Sequence, residues 1–531
     1  MSSIRKTVCD FCLNGCNLGV SFDGYQYRVE YLTGEAPNFG RLCPRGNSAS
    51  IVIDHPKRLC YPLLDGKEIS WQQAMELIGK WRQSCRSDEI AVVYSRGLTE
   101  EELGIVADFA REIGTGNLIC GYLEPDRYLG YRLEGVRSAN LDDVSNSRAI
   151  LLVGDVFGVS PVAAGFILNA RYADRTSRLV VIDSIRTKQA GFAHLFIQVR
   201  PGTEYRALAA VAGILDPKLK LDVDRLAAEC GVDRLLLEEA AAIMKSAPNG
   251  LVGAAASFGR VSNPLLHSLC AQLVALKADK PFAGFAEAFV PEGKVSFGQF
   301  YQQIAQGKIR LVFWFGGLYP YSYPEVLPEL SKIQFRVATS IFRFNYVLPG
   351  LLLPVPSEFE KAGQGGTLWR RVVREPVANP VSGSRTIAEI CAAIAGRIGA
   401  GSTGETLRFS LERILELLAA DRKQAESDGY QLIGERLAIG LGEFFDSEEE
   451  ILLNPADARK LEAKDGDVVV VKSQTAEQRF GVKVSIAVPA GVAAVGVDAH
   501  KNRRLFSVKF DDATGIATIP PAKVEIWRVQ E

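Results

Sequence analysis

Two hydrophobic rhythms alternate along most of this chain. Ala74, Leu77, Ile78, Trp81 and Cys85 recur at the helical period behind Ser70, a residue suited to capping a first turn. Ile90-Ala91-Val92-Val93-Tyr94 is then an unbroken apolar run, as expected of a strand buried on both faces. Leu103, Val106, Ala107, Ala110 and Ile113 resume the helical period, and Gly114 closes it. From about residue 145 the apolar runs lengthen: 149–153 runs into Gly154, 179–182 into Asp183, 251–253 opens a third unit, and 309–315 ends at Gly316-Gly317. Aliphatic runs of this kind, separated by helical segments, predict parallel sheets. Ligands of such sheets bind beyond the carboxyl ends of the strands, so the loops 154–161, 183–187, 200–204, 254–260 and 316–320 are the candidate sites. The region 400–430 reads as a charged, helical connector. After 450, short β runs at 468–471, 481–486 and 492–495 alternate with Asp465-Gly466-Asp467 and Pro489-Ala490-Gly491, which predicts a small β-barrel.

The length of 531 residues predicts three or four domains. A formal net charge of -1 argues against a nucleic-acid surface as the main business. There is no apolar run long enough for a transmembrane helix, and Arg5 and Lys6 near the start are not followed by an apolar stretch, so a cytoplasmic location is expected. Ten cysteines are too few for a disulfide scaffold, and their distribution matters more than their number.

Cys9, Cys12 and Cys16 have the spacing C-x2-C-x3-C, and Cys43 follows after 26 intervening residues. A tight loop can present three thiolates to the corners of a cube, with one remote cysteine at the fourth. Gly15 falls where the backbone must fold back, and Gly40 and Pro44-Arg45-Gly46 shape the remote loop. A structural zinc site with four thiolates usually uses two C-x2-C pairs, and only one is present. The pattern therefore points to a single [4Fe-4S] cluster. Cys60, Cys85, Cys120, Cys230, Cys270 and Cys391 are scattered, and Cys85, Cys230, Cys270 and Cys391 lie in helical apolar patterns that suggest core positions. His194 and His267 lie in apolar contexts and are expected in the core or at its boundary. A single cluster makes no chain of carriers, so electrons would have to pass to or from another polypeptide.

With these motifs in order, the sequence resembles the molybdopterin oxidoreductase superfamily, above all the formate dehydrogenase catalytic subunit and the large iron-sulfur subunit of complex I. Ser70-Trp71-Gln72-Gln73-Ala74 resembles its S-W-D-E-A helix start, and Gly154-Asp155 through Ser160-Pro161 resembles a strand-end loop for a pterin nucleotide. Asp183-Ser184-Ile185-Arg186-Thr187 is similar to D-P-R-x-T, Arg200-Pro201-Gly202-Thr203-Glu204 to R-P-G-T-D, and Gly316-Gly317 with Tyr319-Pro320 to G-x-N-P. Glu360-Lys361-Ala362-Gly363 with Gly366-Thr367 resembles E-x-x-G-T, Asn454-Pro455-Ala456-Asp457-Ala458 resembles the opening of the capping barrel, and Asn502 resembles a late pterin-contacting Asn. The resemblance implies an α/β fold with a [4Fe-4S] domain at 1–60. A discontinuous α/β domain at 61–140 plus 300–400 and a Rossmann-like domain at 141–299 would follow, with a double-psi β-barrel at 430–531. It further implies that Arg45, Gly154, Asp183, Arg186, Gly202, Thr203, Gly317 and Asn502 would face a Mo/W-bis-pterin guanine dinucleotide.

The chain departs from that family at the metal. Its ligand, Cys or selenocysteine followed by His, comes shortly after a G-T-x-N turn, here Gly114-Thr115-Gly116-Asn117. A gapless reading puts Pro125 at the ligand and Asp126 at the His. Three alternatives follow: Asp126 or Glu124 as an oxygen ligand, Cys120 as the ligand through a gap, or a site without metal. Arg45 also stands where catalytic relatives carry Lys, and Gly350 where an acidic residue is usual. The leading expectation is a [4Fe-4S] electron-transfer subunit with a degenerate or empty metal site, working with other iron-sulfur or flavin subunits of a larger complex. The alternatives are a Mo/W enzyme of formate dehydrogenase type and a scaffold in which the cluster is purely structural.

Overall fold

The computed structural model describes residues 4–316, 326–343, 350–396, 399, 407–421, 429–435, 449–497, 500–511 and 516–529. Local signals do what the pattern predicts. Ser70 caps the helix Trp71–Gln83 in a capping box: its Oγ accepts the Gln73 N–H at 3.2 Å, and Gln73 Oε1 accepts the Ser70 N–H at 2.9 Å. Ala74 and Ile78 form the buried stripe. Thr99 and Glu102 make the same box on the helix Glu100–Glu112, whose first turn carries three glutamates at the positive end of its dipole.

Two open sheets make the core. One is wholly parallel, in the order Leu195–Gln198, Arg178–Asp183, Ala149–Val153, Gly250–Ala255, Phe282–Phe285. In the other, Leu351–Pro354, Phe335–Ser340, Leu311–Phe315, Ile90–Tyr94 and Asn117–Cys120 run parallel, and Leu63–Leu64 adds an antiparallel edge followed by Lys67–Glu68. The strands Ala149–Val153 and Ile90–Tyr94 are buried along their whole length, as their unbroken apolar runs require. Each is flanked on both sides by strands that follow it in sequence, the chain moving out on one side and returning on the other, which is the arrangement that opens a crevice at the carboxyl end. Gly154 sits at that point with φ +70, and a Cβ there would meet the carbonyl oxygen of Ala255.

The C-terminal strands close into a six-stranded barrel. Glu477–Val484 starts four residues earlier than the expected run at 481, because its polar first half pairs antiparallel with Val468–Lys472 while alternate side chains face outward. Within 400–430 the helix is Leu411–Ala420; residues 401–406 and 422–428 lie outside the described residues. Cys230, Cys270 and Cys391 are core residues and Cys85 is half-buried. His267 is fully buried, but His194 is exposed: its Nδ1 accepts the Leu179 N–H at the edge of the sheet, and Arg171 packs on its other nitrogen. No helix among the described residues is long and apolar enough to cross a membrane.

Candidate functional site

The cysteine loop joins the antiparallel strands Arg5–Val8 and Asn17–Phe22, and the Cys9 N–H closes it on the Cys16 carbonyl at 2.8 Å. Cys9, Cys12, Cys16 and Cys43 line one enclosed pocket with Phe11, Asn14, Leu42, Gly46, Pro161 and Val162. Cys9 and Cys16 are buried; Cys12 and Cys43 are half-buried. Burial pushes the thiols of Cys9, Cys12 and Cys16 up, and the neighbouring sulfurs push them further. Sulfurs that oppose one another's ionisation in this way suit a cationic metal, which replaces the protons. Gly15 has φ +60, and a Cβ there would collide with Thr367.

Thr367 belongs to a hairpin, Gly363–Gly366 with Arg371–Arg374, that clamps the loop. Leu368 N–H donates to the Leu13 carbonyl at 2.6 Å, and Trp369 Nε1 donates to Asn14 Oδ1 at 3.1 Å. Arg370 Nη2 donates to Asn17 Oδ1 at 2.9 Å, and Arg374 pairs with Asp10. Asn14 Nδ2 in turn donates to Cys16 Sγ at 3.0 Å.

Inward from Cys43, Arg45 is 2% exposed. Its guanidinium donates to Glu287 Oε1 at 3.0 Å and to the Val159 carbonyl at 2.5 Å, so it ties the cysteine pocket to the 154–161 loop. Glu287 also pairs with Arg96, and its N–H donates to Asp126 Oδ2 at 2.7 Å. Tyr122 OH donates to Asp126 Oδ1 at 3.1 Å. The three predicted ligand candidates are thus close in sequence and all buried, and each has internal work. Asp126 holds Tyr122 and the Glu287 backbone, while Glu124 pairs with Arg503 at 2.6 Å, whose guanidinium lies over the Phe258 ring. Burial pushes the Cys120 thiol up to about 11, leaving a neutral S–H aimed at the Tyr122 carbonyl. Pro125 offers no donor at all.

The candidates at the strand ends divide differently. Asp183 is fully buried against Arg260, and its Oδ1 also accepts the Ser184 N–H at 2.7 Å. Arg186 turns away: its backbone N–H reaches the Ala487 carbonyl and its guanidinium lies over Phe196. Gly202, at φ +79, and Thr203, whose hydroxyl donates to the Arg200 carbonyl at 2.7 Å, form a tight turn. Asn502 uses both ends of its amide inside the barrel, donating to the Gly496 carbonyl and accepting from Gln478, each at 2.7 Å. Gly317 lies outside the described residues. Asp183 Oδ2, Thr187 Oγ1 and Arg260 Nη1 are buried without a hydrogen-bond partner. Orphaned polar atoms at a sheet crevice are what a bound nucleotide's polar edge would satisfy, so this end fits a dinucleotide.

Burial pushes the Glu204 carboxyl, beside this cluster, up to about 8. The unfolded chain releases that proton near 4.5, so between these values the folded state holds more protons and stability falls as pH rises. Urea unfolding at the two ends of that window is expected to show this loss in the parent chain and a clearly smaller one in Glu204→Gln.

A second cavity, of about 460 Å³, opens beside the cysteine loop. Asp10 and Leu13 line it together with the loops after Tyr94 and Phe285, the hairpin residues Gln364–Thr367, and Arg96, Arg127 and Arg374. Sequence reasoning did not single out Arg96, Arg260, Glu287 or Trp369. Arg260 lies in the loop 254–260 that the strand pattern marks as a candidate site; nothing in the local pattern marks the other three.

Comparison with known proteins agrees with this geometry. The family model described as "Molydopterin dinucleotide binding domain" matches residues 440–523. The chain is 28% identical over 278 residues to the F420-dependent formate dehydrogenase subunit alpha of Methanocaldococcus jannaschii, covering 46% of this chain and 41% of that one. It is 26% identical over 258 residues to the nitrate reductase of Klebsiella oxytoca, covering 43% and 30%. The matches thus span less than half the length of these relatives. In fold, it is similar to the acetylene hydratase from Pelobacter acetylenicus, with a TM-score of 0.77 over 99% of this chain and 100% of that one at 13% identity. The dinucleotide-binding match at the C-terminal barrel, these relatives and the motif order make the chain similar to the molybdopterin oxidoreductase superfamily.

Proposed function

We propose that this chain is the redox subunit of a multi-subunit oxidoreductase, carrying one [4Fe-4S] cluster on Cys9, Cys12, Cys16 and Cys43 and giving no protein ligand to molybdenum or tungsten. The observation that carries this reading is the convergence of four thiols on one pocket. A structural zinc site with four thiolates usually uses two C-x2-C pairs, and this chain has one such pair, an x3 step and a remote cysteine, which favours an iron-sulfur cluster over zinc. Bound there, a cluster supplies one-electron storage. Arg45 holds a fixed positive charge beside Cys12 and is itself held by Glu287. The metal end of a pterin site does not fit: the Cys120 thiol faces the Tyr122 carbonyl, Glu124 pairs with Arg503, and Asp126 holds Tyr122 and the Glu287 backbone.

Residues 1–60 would form the cluster domain, 61–140 plus 300–400 and 141–299 two Rossmann-like domains, and 430–531 a double-psi barrel. Partners would be iron-sulfur or flavin subunits in the cytoplasm; that relatives are named as alpha subunits supports an assembly. Metal analysis of the purified chain, with spectroscopy after dithionite, is the test. Iron at about four per chain, a reducible cluster and neither molybdenum nor tungsten is the expected result; stoichiometric molybdenum or tungsten would overturn it. That outcome is the second reading, a Mo/W-pterin enzyme of formate dehydrogenase type, which the orphaned atoms around Asp183 and the dinucleotide-binding family match favour.

A further inference from the structure

Trp369 and Asn14 form a relay that ends on a cluster sulfur. An indole nitrogen only donates, so the Trp369 Nε1–H, 3.1 Å from the Asn14 side chain, must meet the amide oxygen. With its oxygen fixed there, Asn14 turns its NH2 toward Cys16, where Nδ2 lies 3.0 Å from Sγ. The amide is buried at 2% exposure, so water does not compete for it. Trp369 itself is set by the hairpin, which is pinned on either side by the Leu368–Leu13 and Arg370–Asn17 hydrogen bonds.

We propose that Trp369 is a positioning residue that sets the reduction potential of the cluster through Asn14. The proposal rests on the cluster assignment above. A hydrogen bond to a ligating sulfur stabilises the more negative, reduced state and so raises the potential. Without the indole N–H the amide is free to rotate or flip, and the sulfur loses part or all of its donor.

The test is a redox titration monitored by the spectrum of the reduced cluster, in the full chain, read on the cluster-bearing fraction. Trp369→Phe keeps an aromatic ring beside Phe285 and removes the N–H donor together with the pyrrole ring that carries it. It is expected to lower the midpoint potential, Asn14→Leu to lower it by at least as much, and the double variant to equal Asn14→Leu alone, because the two residues act in series. Val373→Ala, an exposed and uncharged change on the same hairpin that leaves both pins in place, is expected to leave the potential unchanged. An unmoved midpoint in Trp369→Phe, or additive shifts in the double variant, would overturn the relay while leaving the cluster assignment standing. A parent chain with no iron and no reducible signal would overturn the assignment itself.

Discussion

Cys16→Ala chains are expected to contain almost no iron, against about four per chain in the parent, and to lose the visible absorption of the reducible centre. Cys16 is the most demanding of the four proposed ligands. It is buried, it closes the loop through its carbonyl to Cys9, and it is the sulfur that receives the Asn14 amide. Metal binding and folding share one free energy where ligands must be gathered and deprotonated, so loss of the cluster should also loosen the strands on either side of the loop. Iron assay and limited proteolysis of the first 60 residues check both parts. The same substitution at Cys85, half-buried and away from the pocket, is expected to leave iron unchanged.

The second large effect lies at the crevice of the five-stranded sheet. Arg260→Met leaves the Asp183 carboxylate buried without its partner, and breaking a buried pair from one side costs about 3–5 kcal/mol. Burial already pushes Asp183 upward, with Arg260 the main opposing influence, so the orphaned carboxyl should take up a proton and the variant should be least stable at high pH. Replacing both partners, as Asp183→Leu with Arg260→Met, removes two charges together and is expected to recover most of the loss. Denaturant unfolding of the single and double variants measures this directly. Near-additive losses in the double variant would show that the pair is not the source.

Much of this arrangement could be read along the chain. The Ser70 cap and the unbroken runs at 90–94 and 149–153 are local patterns, and each produced the element it predicts; the cysteine spacing is as local, and its four thiols share one pocket. Asp183 was legible for the same reason, as the acid at the end of an aliphatic run. Its partner was not: Arg260 meets it across 77 residues, and a single arginine in a loop carries no mark of the carboxylate it will find. Arg45 and Glu287 lie 242 residues apart, and Trp369 lies 355 from Asn14. The ligand loop was legible only as a lack, since Pro125 replaces a donor; that its neighbours Glu124 and Asp126 are occupied by Arg503 and Tyr122 depends on packing no local pattern encodes.

The clamp that Gly363–Gly366 and Arg371–Arg374 place on the cysteine loop also has a meaning in time. The three clustered cysteines are made more than 300 residues before the hairpin, so the hairpin partners of Asp10, Leu13, Asn14 and Asn17 do not exist until synthesis has passed Arg374. Until then the loop that would receive iron has its sulfurs but not its wall. The site is therefore completed late in the life of the nascent chain, after both sheets have most of their strands.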